Sequence, residues 1–233
     1  MTPSFELMLQ LCILLPLIAT LAIMATGSQP NLREAVTITT SLILLYCVIN
    51  LYQGVTAGEE INVFWWELLP GLQLNFSIEP LGMLFGLIAS FLWLITTIYS
   101  IGYMRSHQEE NQTRFYACFA IAIAAVMGIA FAANLFTLFI FYEVLTLSTY
   151  PLVTHAGTAK AKKSGRIYLG ILLGTSIVFF LLAIVSTWFL AGTLEFKARG
   201  VFSSNVDTAL VGVILVLFIF GIGKAAIMPF HRW

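Results

Sequence analysis

The 233-residue chain has eleven basic and eleven acidic residues, a formal net charge of zero, 9% charged residues and 60% hydrophobic residues, with a mean hydropathy of +0.95. A soluble domain has roughly 25% charged residues, so much of this surface must face lipid. The balanced charge excludes a basic nucleic-acid-binding protein. The three cysteines, Cys12, Cys47 and Cys118, lie in apolar runs without metal-ligand spacing and read as small buried hydrophobes.

No Lys or Arg precedes the first apolar run, which reaches from about Leu7 to Ala25 and is long enough to span. It reads as a retained helix and not as a secretory signal. Stretches of spanning length follow at Phe5–Ala25, Ala35–Tyr52, Leu81–Met104, Phe115–Ala133, Leu135–Thr154, Ile167–Leu190 and Thr208–Met228, the fourth and fifth parted only by a tight turn near Asn134. The fold class is therefore all-α: a polytopic integral membrane protein of about seven transmembrane helices.

With the N-terminus outside, the inner loops hold Arg33, Arg105, Arg114, Lys160, Lys162, Lys163 and Arg166, and the outer loops hold only Lys197 and Arg199. That positive-inside bias sets the orientation. Lys160, Lys162 and Lys163 read as a basic loop, and His155, just before it, as solvated. The outer-surface loop 54–79 is long. Ile61–Leu68 is aromatic and strand-like, Pro70-Gly71 supplies a turn, and Leu72–Ile78 alternates apolar and polar. A hairpin at the membrane surface, with Trp65 and Trp66 at headgroup depth, and a coil with two interfacial tryptophans both fit this pattern.

Two charged residues stand inside apolar spans: Glu143 near the middle of the fifth and Lys224 within the seventh. A charge at the centre of a bilayer costs about 2.5–3.5 kcal/mol on insertion scales and marks an ion or proton path more often than not. The structural alternative is a Glu–Lys pair that locks two helices. At 100° per residue Thr146, Tyr150 and Thr154 project on the Glu143 side, as a hydrogen-bonded water path requires, although hydroxyls also glue helices without any transport. Pro151 removes the backbone bond to Leu147 and should bend the helix beyond Glu143. Around Lys224, Gly221 and Gly223 permit close helix approach, and Pro229 frees the carbonyl of Ala225, which predicts a broken seventh helix. His231 follows Lys224 by seven residues, on the same face if the helix continues, and reads equally as an interfacial histidine or a proton carrier. No phosphate loop, metal-ligand cluster or nucleophile–base pair is present, so no catalytic residue, metal or cofactor is assigned.

Three stretches carry a family resemblance: Phe141-Tyr-Glu-Val-Leu-Thr-Leu-Ser-Thr-Tyr-Pro-Leu152, Gly223-Lys-Ala-Ala-Ile-Met-Pro-Phe-His-Arg-Trp233 and Ile98-Tyr-Ser-Ile-Gly-Tyr-Met-Arg105. The chain resembles the antiporter-like subunits shared by respiratory complex I and the Mrp-type multi-subunit sodium/proton antiporters, the D-type members of the Mrp group in particular. The resemblance implies that Glu143 and Lys224 form a coupled ion pair in a proton path, with His231 further along it. It implies the N-terminal half of a fold of about fourteen helices, with residues 1–110 as an N-terminal three-helix region and 111–233 as an incomplete first inverted repeat. It further implies a multi-pass subunit of the cell inner (plasma) membrane, with other membrane subunits as partners and protons and sodium as ions. Three readings remain: a proton-translocating subunit of a cation/proton antiporter, a proton-pumping membrane-arm subunit of an NADH–quinone oxidoreductase type complex whose redox sites lie in other chains, or a non-functional truncated membrane remnant.

Overall fold

The computed structural model describes residues 4–69, 71–198 and 200–231. Pro70 of the expected turn, Arg199 of the outer loop, Met1 to Pro3, Arg232 and Trp233 lie outside the described residues. Among the described residues the helices are α1 (Phe5–Ala25), α2 (Pro30–Thr56), α3 (Pro80–Ser106), α4 (Gln112–Ala130), α5 (Leu135–Val153), α6 (Ala159–Ala191) and α7 (Thr208–Gly221), with a hairpin of β1 (Asn62–Leu69) and β2 (Leu72–Ser77) between α2 and α3. The first six helices are long and apolar enough to cross a membrane; α7 is shorter. At about 1.5 Å per residue its 14 residues reach about 21 Å, short of a hydrocarbon core about 30 Å thick.

The boundaries follow local chemistry. Ser4 caps α1 by accepting the Leu7 N–H at 3.3 Å, and Asp207 caps α7 by accepting that of Ala209 at 3.0 Å. Pro30 and Pro80 stand in the first turns of α2 and α3, where their missing N–H is not needed. Asn134 separates α4 from α5 as expected, and its side chain accepts the Thr137 N–H at 2.7 Å. α6 begins earlier than the hydropathy suggests because Thr158 caps it, accepting the Ala161 N–H at 3.1 Å. Lys160, Lys162 and Lys163 therefore stand on its exposed first turns and not in a loop. His155 is half-buried with its ring nitrogens shielded, which corrects the solvated expectation.

The chain divides into two compact units, Met1–Phe64 with Asn75–Ala132 and Trp65–Leu74 with Ala133–Trp233. In the first unit α1 packs on α2 and α4, α2 on α3, and α3 on α4, around Leu9, Ile13, Ile23, Leu44, Leu51 and Met127. Gly82 lets α3 reach α4, since a Cβ there would sit 2.0 Å from the Ala130 carbonyl oxygen. One end of this bundle holds a charged network that the sequence reading assigned only to orientation. Arg33 and Glu34, 3% and 4% exposed, pair at 3.4 Å, and Arg105 at the end of α3 donates through Nε to Glu34 at 3.1 Å and through Nη2 to its second oxygen. Arg33 also donates to Thr113 at 3.1 Å and Gln112 at 2.8 Å on α4, with its guanidinium 5.1 Å from the Tyr116 ring.

The hairpin decides between the two readings of the outer loop. Gly71 takes φ +85°, a conformation suited to glycine, and its N–H donates to the Glu67 carboxylate at 3.0 Å. Trp66 is exposed and Trp65 half-buried.

In the second unit α5 packs on α6, with Gly165 leaving room for Tyr150 and Thr154. α6 contains a π-helical turn, Ser176–Phe180, against which α7 packs. A Cβ on Gly221 would lie 2.6 Å from the Phe180 backbone nitrogen, so α7 docks there only through glycine.

Two outcomes test this packing. Glu34→Ala strips the buried partner from Arg33 and Arg105, and removing one member of a buried pair costs about 3–5 kcal/mol; we expect a marked fall in the detergent-solubilised melting temperature and in membrane accumulation. Gly221→Val overpacks the π turn at a cost of about 1–3 kcal/mol; limited proteolysis should show faster cleavage between α6 and α7, with α1–α4 unaffected.

Candidate functional site

Glu143 and Lys224, the two charges expected inside apolar spans, lie in the second unit, on α5 and just past the end of α7. The break falls earlier than sequence reasoning placed it. Helical bonding stops at Gly221, a 3₁₀ turn covers Gly223–Ala225, and Pro229 lies beyond in an irregular segment. Glycine costs about 1 kcal/mol relative to alanine inside a helix. Here both glycines are also needed for contact: a Cβ on Gly223 would fall 2.3 Å from the Thr175 hydroxyl. The chain thus leaves the helix before Lys224 and carries that residue on the turn against α5 and α6.

The turn brings Lys224 onto Tyr142 and Thr146 of α5. Its Nζ donates to the Tyr142 carbonyl at 3.0 Å and to the Thr146 hydroxyl, and stands 3.3 Å from the Tyr142 ring centroid. Its backbone N–H donates to the Tyr142 hydroxyl at 3.2 Å. Thr146 in turn donates to the Tyr142 carbonyl at 3.0 Å. A carbonyl, a hydroxyl and a ring face therefore surround the ammonium, and all three are uncharged. A cation over an aromatic face gains about 0.5–2 kcal/mol, the upper end when water is excluded.

Glu143, the next residue on α5, is half-buried, and its Oε1 is buried without a hydrogen-bond partner among the described residues. Glu143 lies within electrostatic reach of Lys224, yet among the described residues the ion pairs join only Arg33, Arg105 and Glu34. A buried carboxylate oxygen left unpaired is costly. The two residues stand as neighbours without forming an ion pair.

The hydroxyl stripe divides. Thr146, fully buried, meets Lys224. Tyr150 and Thr154 face Gly165 on α6 instead, and Thr154 returns its hydroxyl to the Tyr150 carbonyl at 3.0 Å. Thr149 continues the polar contacts sideways, donating to the Thr146 carbonyl at 3.1 Å and meeting the Tyr168 hydroxyl at 2.7 Å. Pro151 lies near the end of α5, which stays helical to Val153. His231 is exposed and irregular in backbone, so the continuous helix that would align it with Lys224 is not formed. Among the described residues no group of three or more His, Cys, Asp or Glu could hold a metal ion.

Tyr142 is the residue that sequence reasoning missed. An aromatic beside Glu143 in an apolar run reads as core or lipid-facing surface, and only the fold of the broken helix discloses its contacts. Its ring also packs edge-on against Phe180, with centroids 5.5 Å apart, which ties the lysine seat to the π turn.

Comparison with known proteins shows what the chain as a whole is similar to. The family model described as "NADH:quinone oxidoreductase/Mrp antiporter, TM" matches residues 132–233, and that described as "NADH-Ubiquinone oxidoreductase (complex I), chain 5 N-terminus" matches residues 69–116. The chain is similar to the N-type NADH-quinone oxidoreductase subunit of Desulforudis audaxviator, 26% identical over 96% of this chain and 45% of the relative. It is similar to the D-type Na(+)/H(+) antiporter subunit of Alkalihalophilus pseudofirmus, 25% identical over 82% of this chain and 38% of the relative. Among solved structures, the Mrp complex from Dietzia sp. shares the fold with a TM-score of 0.80 at 21% identity, covering 99% of this chain and 43% of that one. The chain spans less than half the length of each of these proteins. The family models, relatives and solved structure that it resembles are thus antiporter-like membrane subunits of the kind shared by Mrp antiporters and the membrane arm of complex I.

Proposed function

We propose that this chain is a proton-path subunit of a multi-subunit monovalent cation/proton antiporter, with Glu143 and Lys224 as its titrating pair and residues 111–233 as helices four to seven of the first inverted repeat. One observation carries the reading: Lys224 is held inside the membrane-spanning unit by uncharged groups only, beside a glutamate whose buried oxygen has no partner among the described residues. A lysine so placed can stay with its neutral acceptors or move to the carboxylate, and the two positions hold its proton differently. Thr146 supports the lysine. Pro151 leaves the Leu147 carbonyl open to water beside Glu143. His231 is assigned to the far end of the path. Protons and sodium are the ions of this reading, and the other subunits of the assembly are its partners.

A second reading, the membrane arm of a quinone-reducing complex, is favoured by the similarity over 96% of this chain to an NADH-quinone oxidoreductase subunit. In either setting the chain lies in the plasma membrane with its N-terminus outside, on the positive-inside bias.

In inverted membrane vesicles carrying the assembled complex, Lys224→Ala and Glu143→Gln should each cut cation-driven proton movement by about tenfold or more, equivalent to about 1.4 kcal/mol in the barrier. If the rate is lost only when NADH and quinone drive it, the quinone-reducing reading replaces the antiporter. Unchanged rates by both assays would leave a purely structural membrane protein. For orientation, a cysteine at Lys160 should react with a membrane-impermeant maleimide from the inner face, and one at Glu59 from the outer face.

A further inference from the structure

Every face of the Lys224 head group that the structure accounts for is turned toward Tyr142 or its i+4 neighbour. Tyr142 supplies three separate elements: a carbonyl for the ammonium, a ring face beneath it and a hydroxyl for the backbone N–H that follows the helix break. We propose that Tyr142 is the positioning residue of the site, a seat that keeps the Lys224 ammonium on neutral ground beside Glu143 and releases it toward the carboxylate. This deepens the proton-path reading and rests on it.

Two features set Tyr142 apart from a core aromatic. The first is the distance of 3.3 Å from Nζ to the ring centroid, well inside the range of about 6 Å over which a ring quadrupole attracts a cation. The second is the hydroxyl contact: the Lys224 N–H has left the α-helical ladder, and the Tyr142 oxygen accepts it. The ring thus fixes both the ammonium and the stretch of backbone that carries it. The titratable groups around the ammonium are Tyr142 and Glu143 on α5, with Tyr168 on α6 reached through Thr149. No bond is made or broken in seating the lysine; the ammonium exchanges a ring face and two neutral oxygens for a carboxylate, keeping its proton until it leaves both.

The seat has a signature that packing does not share. Fluorine atoms added around a phenyl ring weaken its attraction for a cation while changing its size little. In the full-length chain within its assembled complex, position 142 is replaced in turn by Phe, difluoro-Phe and trifluoro-Phe through amber suppression, with Lys224→Ala as the reference for loss of the site. Cation-driven proton movement should fall stepwise along the fluorinated series, by about tenfold from Phe to trifluoro-Phe, at constant assembly on native gels. Tyr142→Trp should retain more activity than Tyr142→Leu at equal assembly. A flat fluorinated series, with Lys224→Ala inactive, overturns the seat and leaves the proton-path reading standing. A fully active Lys224→Ala overturns both.

Discussion

The second unit is organised around one demand: a lysine ammonium has to be accommodated among apolar helices. Its solvation by a carbonyl, a hydroxyl and an aromatic face dictates much of the surrounding backbone. α5 has to offer Tyr142 and Thr146 on one side. The lysine has to arrive on a segment that can approach α5 closely, which a regular helix with ordinary side chains cannot do. Gly221 and Gly223 meet this condition by removing the side chains that would collide with Phe180 and Thr175. The broken helix is thus what brings the charge to α5.

The π turn in α6 belongs to the same construction. One extra residue in the helical ladder at Ser176–Phe180 turns Phe180 toward Tyr142, Phe139 and Phe218. π-helical turns inside α-helices are rare and concentrate at functional sites. Here the turn supplies the surface on which α7 ends and an edge-on support for the tyrosine. The first unit has a different logic. Its buried carboxylate, Glu34, pairs with both Arg33 and Arg105, while Thr113, Gln112 and Asn31 take further guanidinium protons. This network joins the ends of α2, α3 and α4.

Much of this was written in the sequence, and the omissions have physical causes. Spans follow from hydrocarbon thickness, so the first five helices were legible to within about five residues, and the alternation of Leu72–Ser77 with the glycine at 71 supported a hairpin. The start of α6 was misjudged because three lysines lower the hydropathy of a segment that Thr158 nonetheless caps into a helix. The break in α7 was anticipated from Pro229 but occurs at Gly221, because the close approach to α6 is a tertiary demand that glycine meets and proline does not signal. Glu143 and Lys224 stood out because charge is conspicuous in an apolar run. Tyr142 did not, since an aromatic among aromatics has no compositional contrast. Arg33 and Glu34 were hidden in the opposite way: adjacent charges near a helix start resemble loop residues until the ends of α3 and α4 converge on them.

The uncharged character of the lysine seat has an electrical corollary. With no carboxylate bound to it, the ammonium, while it holds its proton, carries a positive charge that no partner cancels, and any part of the membrane voltage that falls across the site acts on that charge. Complete passage of one elementary charge through 100 mV is worth about 2.3 kcal/mol, and a partial displacement takes its proportion. Any swing of that side chain along the bilayer normal is therefore biased by the polarity of the cell, favoured in one direction and opposed in the other.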